Sequence, residues 1–387
     1  MTRRLLAALA TPVCVAAAAA AAEEDAPIGR PLVRGGIYDK PFFARLGEGA
    51  AVGGYVDAQF RWERADGVTD ELTFLVERFN LFTYASLSDR VRVASELEFE
   101  EGGREVTIEL AIIDFEIHEA LALRGGIVLS PLGRFNLAHD SPANELTDRP
   151  LVSTEIIPAT LSEPGIGFFG ALHPSATSLV TWEAYAVNGF SEGILEEDGS
   201  GTRIPAGKGN WEDGNNRPSF VSRVAASPVG SAELGLSVHT GPYNLFEEGG
   251  LAVDERRDVT IFAADGELRA APFRLTGEWA RAWIDVPPAF PAAESQQGFY
   301  AELSAPFLEG AIPNLPESRF TAAVRVDVVD FDLDVSGDDR RRLTLGLNFR
   351  PIGETVFKLD WQRERERDAF ENVAEKAALL FSAASYF

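Results

Sequence analysis

Residues 53–64, GGYVDAQFRWER, decide the reading of the fold. Val56, Ala58, Phe60 and Trp62 fall at every second position, with Asp57, Gln59, Arg61 and Glu63 between them. A period of two sends successive side chains to opposite faces of a strand, so one face is apolar and the other charged. The pattern returns in residues 90–100, where Val91, Val93, Leu97 and Phe99 oppose Arg92, Glu96, Glu98 and Glu100. It returns again in 341–350, where Leu343, Leu345, Leu347 and Phe349 oppose Arg342, Thr344, Asn348 and Arg350, and in 358–364 around Leu359 and Trp361. Two stretches do not hold one phase. Residues 72–87 change phase near Arg78, and residues 106–118 are apolar on both faces in their first half.

Extended along the chain, this alternation gives about sixteen strands of the ~10-residue length that a tilted membrane strand needs. They lie near 52–64, 71–87, 90–101, 105–118, 120–129, 164–173, 178–188, 217–227, 231–241, 257–271, 273–286, 296–306, 318–330, 340–350, 355–366 and 372–387. Short turns such as Ser88-Asp89, His173-Pro174-Ser175, Ser227-Pro228-Val229-Gly230, Ala271-Pro272 and Pro351-Ile352-Gly353 alternate with longer polar loops at 130–163, 189–216, 242–256, 287–295 and 331–339. Short turns on one side and long loops on the other indicate an all-β, antiparallel up-and-down transmembrane barrel. Residues 307–317 are a longer connection on the short side. A periplasmic β-sandwich would alternate too, but it requires neither an even strand count nor this asymmetry. The terminal segment ends on Phe387 with Ala383, Phe381, Leu379 and Ala377 in phase behind it, a strand pattern that overrides its helix-favouring composition.

The N-terminus reads as an address. Arg3 and Arg4, an apolar run over 5–19 and Ala20-Ala21-Ala22 make residues 1–22 a cleavable secretory signal, followed by a Gly/Pro-rich periplasmic arm over 23–51. Cys14 is the only cysteine, so the mature chain would hold no disulfide, thiol nucleophile or thiolate metal site. Loss of Arg3 and Arg4 takes the formal charge from −25 to −27, a balance that repels nucleic acid. No later run of about eighteen apolar residues can serve as a helical span.

Residues 131–163, PLGRFNLAHDSPANELTDRPLVSTEIIPATLSE, keep no sustained period and are rich in proline and charge. Connections have a median of ~4–6 residues, and long ordered ones are usually functional. This loop is read as folding into the barrel to narrow a diffusion channel, with Arg134, His139, Asp140, Asp148 and Arg149 as the constriction. Arg61, Arg92, Glu96, Arg223, Arg274, Arg325 and Arg342 are read as lumen-facing.

GGIVLSPLGRFN (125–136), AYAVNGF (184–190), RPSFVSRVAASPVGSAELGLSVHTG (217–241), FRLTGEWAR (273–281) and LTLGLNFRP (343–351), in this order, resemble the phosphate-selective porin O and P family. The resemblance covers about residues 53–387. It implies a sixteen-stranded outer-membrane porin of Gram-negative type, a homotrimer, with the third external loop (130–163) folded inward. It also implies passive diffusion of ions and small hydrophilic solutes, contact with membrane lipids and lipopolysaccharide, and no cofactor. That family's phosphate specificity rests on arginines and a lysine cluster in the lumen. Here there are only four lysines (Lys40, Lys208, Lys358, Lys376), and the inward arginines alternate with acids. The expected pore is weakly cation-preferring or unselective.

Other residues suggest other chemistry. His139-Asp140-Ser141 holds the residue types of a hydrolase triad, but adjacent side chains do not converge as a triad must. An outer-membrane hydrolase and a plugged structural or adhesive barrel are the alternatives to a channel. His118, His139, His173 and His239 share no ligand spacing, so no metal site is expected. The acids at 327, 330, 332, 334, 338 and 339 read as a solvated loop rather than a Ca²⁺ site. Tyr55, Trp62, Trp283, Phe299, Tyr300, Trp361 and Tyr386 read as interfacial aromatics. Arginine is expected to cost far more at outward Leu345 than at inward Thr344.

Overall fold

In the computed structural model, residues 50–387 are described, except 119, 196–200, 210, 289 and 291. The signal-peptide reading and nearly all of the arm lie outside the described residues. Ala50 and Ala51, read as the end of the arm, already belong to the first strand, opposite Ala85 and Tyr84. The strands are β1 (Ala50–Ala65), β2 (Val68–Ser86), β3 (Val91–Glu100), β4 (Glu105–His118), β5 (Leu121–Leu129), β6 (Ser162–Ser175), β7 (Ser178–Val187), β8 (Ser219–Val229) and β9 (Ala232–Pro242). After a small hairpin of β10 (Glu247–Glu248) and β11 (Leu251–Ala252) come β12 (Asp258–Ala270), β13 (Phe273–Ile284), β14 (Ser295–Phe307), β15 (Arg319–Asp330), β16 (Asp339–Ile352), β17 (Thr355–Arg367) and β18 (Val373–Tyr386).

Apart from the β10–β11 hairpin, these strands form one closed antiparallel barrel of sixteen, with β9 pairing directly with β12. Closure is made by β1 against β18, in register from Tyr55 opposite Tyr386 to Ala65 opposite Lys376. The closed ring leaves no strand edge unpaired.

Both phase irregularities in the sequence are β-bulges. In β2, Asp57 pairs with Arg78 and Ala58 with Val76, so Glu77 is the extra residue. In β4, Glu96 pairs with Leu110 and Leu97 with Ile108, leaving Glu109 as the extra residue. A bulge shifts the side-chain phase by one. Val106 and Ile108 therefore face outward before the bulge and Ile113 and Phe115 after it, while Glu109, Leu110, Ile112 and Asp114 are buried inside.

Elsewhere the alternation holds. Trp62, Phe74, Leu343, Leu345, Leu347, Leu359, Trp361, Leu379 and Phe381 are exposed on the outer face. Asp57, Gln59, Glu96, Glu98, Arg325, Asp327, Thr344, Asn348, Lys358 and Asp360 are buried inside. Three of the aromatics read as interfacial need correction. Tyr55 and Tyr300 are buried and Tyr386 bonds the interior residue Asp140, because each shares the phase of inward neighbours such as Asp57 and Glu302. Trp62, Trp283, Phe299 and Trp361 do face outward.

Three turns are tighter than the sequence suggested. Strand pairing runs through Pro174, Pro228 and Pro351, each beside a register shift, to leave turns at 176–177, 230–231 and 353–354. On the opposite side, connections 66–67 and 101–104 are short, so the long-loop pattern begins only with the third loop. The long connection at 308–318 is closed by its own bonds, Gly310 N–H to Ser318 O at 2.7 Å and Leu315 N–H to Ile312 O at 3.1 Å.

Thr344 is fully buried beneath the interior loop, so an arginine there would be overpacked and would not test the phase. Thr276, beside an interior cavity, is the better inward site. Leu345→Arg, at the middle of β16, should cost about 2–4 kcal/mol in lipid and Thr276→Arg much less. Urea titration of the folded, heat-modifiable band in liposomes measures both, and equal losses would show that the faces are assigned wrongly.

Candidate functional site: a loop tied across the barrel interior

The segment between β5 and β6 turns inward at Gly133. Its φ of +70° suits glycine, and a Cβ there would sit 2.7 Å from the Glu278 carboxylate. The Gly133 N–H bonds the Ser237 hydroxyl of β9 at 2.9 Å. Glu278 of β13 then accepts the N–H groups of Arg134 and Phe135, at 2.6 and 3.0 Å, and the Ser153 hydroxyl at 2.9 Å. A carboxylate thus caps the short 3₁₀ turn at Phe135–Leu137, whose first N–H groups have no partner within the turn. Asn136 pins the two ends of the loop together, donating to Ser130 O and Leu161 O and accepting from Leu161 N–H.

From this root the loop touches the wall on many sides. Arg134 reaches Glu233 of β9 at 2.9 Å and Glu267 of β12 at 2.7 Å. Asp140 accepts from the Tyr386 hydroxyl of β18 at 2.8 Å. Glu145 pairs with Arg274 of β13 and Arg350 of β16, at 3.1 and 3.2 Å. Burial works to raise the Glu145 carboxyl, but Arg350 and Arg274 hold it below the usual carboxylate range. On β17, Lys358 donates to Ser141 O at 2.8 Å and Asp360 accepts from Thr147 N–H at 2.6 Å.

Asp148 is gripped by Arg61 of β1 at 2.8 Å and lies 3.7 Å from Arg342 of β16. Burial alone would raise its carboxyl, but Arg61 and Arg342 hold it at about 2. Arg325 donates to Asp148 O at 2.9 Å and Arg342 to Arg149 O at 2.5 Å. The Leu151 N–H reaches Asp327 of β15 at 3.0 Å, at the start of the one-turn helix α1 (Val152–Glu155). The Arg149 head donates to Ala159 O at 3.0 Å; burial and the nearby Arg78 guanidinium depress its basicity.

All five loop residues singled out in the sequence therefore lie against the barrel interior. Of the wall residues, Arg61, Arg274, Arg325 and Arg342 bond or pair with the loop, and Glu96 lies beside His139 and Asp140. Arg92 and Arg223 instead pair with wall acids Glu116 and Asp265. His139-Asp140-Ser141 does not form a triad: the His139 Nδ1 faces Asn136 O at 2.8 Å and Asp140 bonds Tyr386. Sequence reasoning missed Glu145, Glu278, Lys358 and Asp360 as loop anchors. The inward phase of Glu278, Lys358 and Asp360 was visible and Glu145 sat in the aperiodic loop, but their partners, over a hundred positions away, were not visible.

Space is left around the loop. Cavities of about 180, 160 and 230 Å³ lie beside Arg134 and Arg274, beside Arg61 and Glu364, and beside Glu98, Arg149 and Lys208.

No family model matches the chain. An uncharacterized protein of Aquifex aeolicus is 24% identical over 361 residues, 86% of this chain and 80% of that one. Similar solved structures include outer-membrane channels and porins. The anion-selective porin from Comamonas acidovorans aligns over 87% of this chain and 99% of its own, with TM-score 0.57 and 11% identity. DcaP of Acinetobacter baumannii aligns over 87% and 97%, with TM-score 0.56 and 12% identity. OprB of Pseudomonas putida aligns over 88% and 94%, with TM-score 0.56 and 12% identity. At these identities the likeness establishes the sixteen-stranded porin fold.

The Asp148 carboxyl, held low by its arginines, gives stability that is full above about pH 3.8 and lost as pH falls through about 2. Asp148→Asn should remove part of the stability loss seen between pH 4 and pH 2. Denaturation midpoints at pH 4, 3 and 2 test this, and identical slopes for both proteins would contradict it.

Proposed function

We propose that the protein is an outer-membrane porin through which ions and small hydrophilic solutes diffuse passively, with the loop at 130–163 as its constriction. The observation that carries this reading is the combination of an apolar outer face, a closed sixteen-stranded wall, and a charged loop bonded to the inward side chains of that wall. A barrel of this strand number leaves an aqueous interior unless something fills it. A loop anchored by charge narrows that interior and sets size and charge preference.

Arg134, His139, Asp140, Asp148 and Arg149 are the proposed constriction residues, with Arg61, Arg325 and Arg342 supporting Asp148 and Arg149, and Arg274 holding Glu145 of the same loop. A homotrimer in contact with lipid and lipopolysaccharide, reached after signal cleavage, completes the reading; it includes no enzymatic activity. The likeness to the phosphate-selective porin O and P family extends to architecture and not to specificity. A second reading, a barrel whose interior is plugged, draws on the density of loop-to-wall bonds. Planar-bilayer recording separates the two: steady single-channel conductance supports the porin, and its absence in correctly folded protein supports the plug.

Deleting part of 136–150 should raise single-channel conductance severalfold, and an unchanged value in folded mutant would place the constriction elsewhere. For selectivity, the interior mixes signs and the external loops are acidic (Glu247, Glu248 and the 330–339 group; the acids at 196–198 lie outside the described residues). Like charges at a pore mouth enrich counter-ions within a screening length of ~8 Å at physiological salt. A reversal potential across a KCl gradient should show weak cation preference or none. Strong anion selectivity with chloride current blocked by phosphate would restore the phosphate reading.

A further inference from the structure

We infer that the loop carries a divalent transition-metal site, formed where its residues 139–140 meet β3 and β4. Glu96, His139 and Asp140 each present a ligand atom, all three atoms within 4.8 Å of one another, and the three residues are 0, 2 and 3% exposed. Glu109, 1% exposed, adds a fourth group: its carboxylate abuts His139 Nε2. Asn80 of β2 holds the two wall carboxylates together, donating to Glu96 at 2.7 Å and to Glu109 at 3.0 Å.

Two observations beyond the gathering of acids point to a cation. The first is the tautomer of His139. Its Nδ1 faces the Asn136 backbone carbonyl at 2.8 Å, which fixes the proton on that nitrogen in the neutral ring. In that tautomer Nε2 carries a lone pair and lies against the Glu109 carboxylate, two electron-pair donors that need a cation or a proton between them. A histidine oriented by a backbone carbonyl, with its other nitrogen aimed at carboxylates, is the arrangement that metal-binding histidines adopt. The second is the bulge in β4, which turns Glu109 inward beside Leu110, where regular pairing would put only one of the two there. Bulges re-aim side chains beside functional sites.

One imidazole nitrogen with carboxylate oxygens suits Zn²⁺ and its first-row neighbours; Ca²⁺ takes six to eight oxygens, as a rule. Tetrahedral zinc with bonds of ~2.0–2.2 Å places its donors roughly 3.3–3.6 Å apart, so the widest spacing in the cluster must close by up to about 1.4 Å around the ion, a shift within reach of side-chain rotation. Asp140 is further oriented by the Tyr386 hydroxyl at 2.8 Å. The bound ion would fasten the loop to the β3–β4 wall. Histidine spacing offered no hint of this, because the four groups come from three separate segments of chain.

The test uses full-length mature protein folded in detergent, stripped with EDTA and titrated with Co²⁺, then Zn²⁺. The expected result is one Co²⁺ per chain with visible d–d absorption, displaced by one equivalent of Zn²⁺. His139→Ala and the near-isosteric Glu109→Gln should each weaken binding at least tenfold, with heat-modifiable mobility verifying their fold. Asp334→Asn, in the acidic external loop, should leave binding unchanged. Folded wild-type protein that binds no Co²⁺ or Zn²⁺ at millimolar concentration would overturn the site and leave an imidazolium–carboxylate pair in its place. Binding that survives both cluster variants, or is lost in Asp334→Asn, would overturn it equally. The readout is metal binding, so it is independent of whether the barrel conducts.

Discussion

A backbone amide facing hydrocarbon has no water to bond, and this constraint organises the barrel. The pairing of β1 with β18 satisfies it at the one place where a sheet would otherwise end. Eleven consecutive register pairs join the first strand to the last, from Tyr55–Tyr386 to Ala65–Lys376. Phe387 extends the seam, exchanging backbone bonds with Gly54 and stacking on Phe79 at 5.8 Å between ring centroids. Once the ring is closed, period-two alternation follows without further instruction: every strand has one face toward lipid and one toward the interior.

The interior then poses the opposite problem. Acids and bases removed from bulk water are costly unless paired, and here they are paired in two ways. Some pair along or across the wall, as Arg223 does with Asp265 and Arg124 with Asp114. The rest engage the loop, whose irregular backbone would otherwise bury unsatisfied N–H and C=O groups. Glu278, Asp327 and Asp360 accept loop N–H groups, while Arg325, Arg342, Arg350 and Lys358 donate to loop carbonyls. Wall and loop are therefore each the condition for the other's charges being tolerated inside.

The sequence showed the fold in nearly full outline because alternation is a local property. All sixteen barrel strands were legible, and the two places where the phase broke, near Arg78 and within 106–118, are the bulges at Glu77 and Glu109. What alternation cannot supply is which inward group meets which. Arg61 was legible as inward and Asp148 as part of an unusual loop, yet their 2.8 Å bridge joins positions 87 apart. Tyr55, Tyr300 and Tyr386 were misread for a related reason: residue type suggested an interface, while their phase, the better guide, put them inside. Glu109 was illegible as an interior group because a bulge, invisible in composition, decides its direction.

The same pairing bears on how the inward arginines act. Arg325 bonds Asp327 at 3.0 Å and the Asp148 carbonyl at 2.9 Å, and Arg350 bonds the Pro142 carbonyl at 2.8 Å and Glu145 at 3.2 Å. Arg134 is shared between Glu233 and Glu267. A guanidinium has five N–H donors, and those directed at carboxylates and carbonyls do not serve a passing anion. Lys358, one of only four lysines, gives bonds to the Ser141 and Leu146 carbonyls. Counting inward cations would therefore overstate the positive potential that a solute meets. What a solute would sense is the remainder after pairing, and the acids that hold the loop offset the bases that hold it.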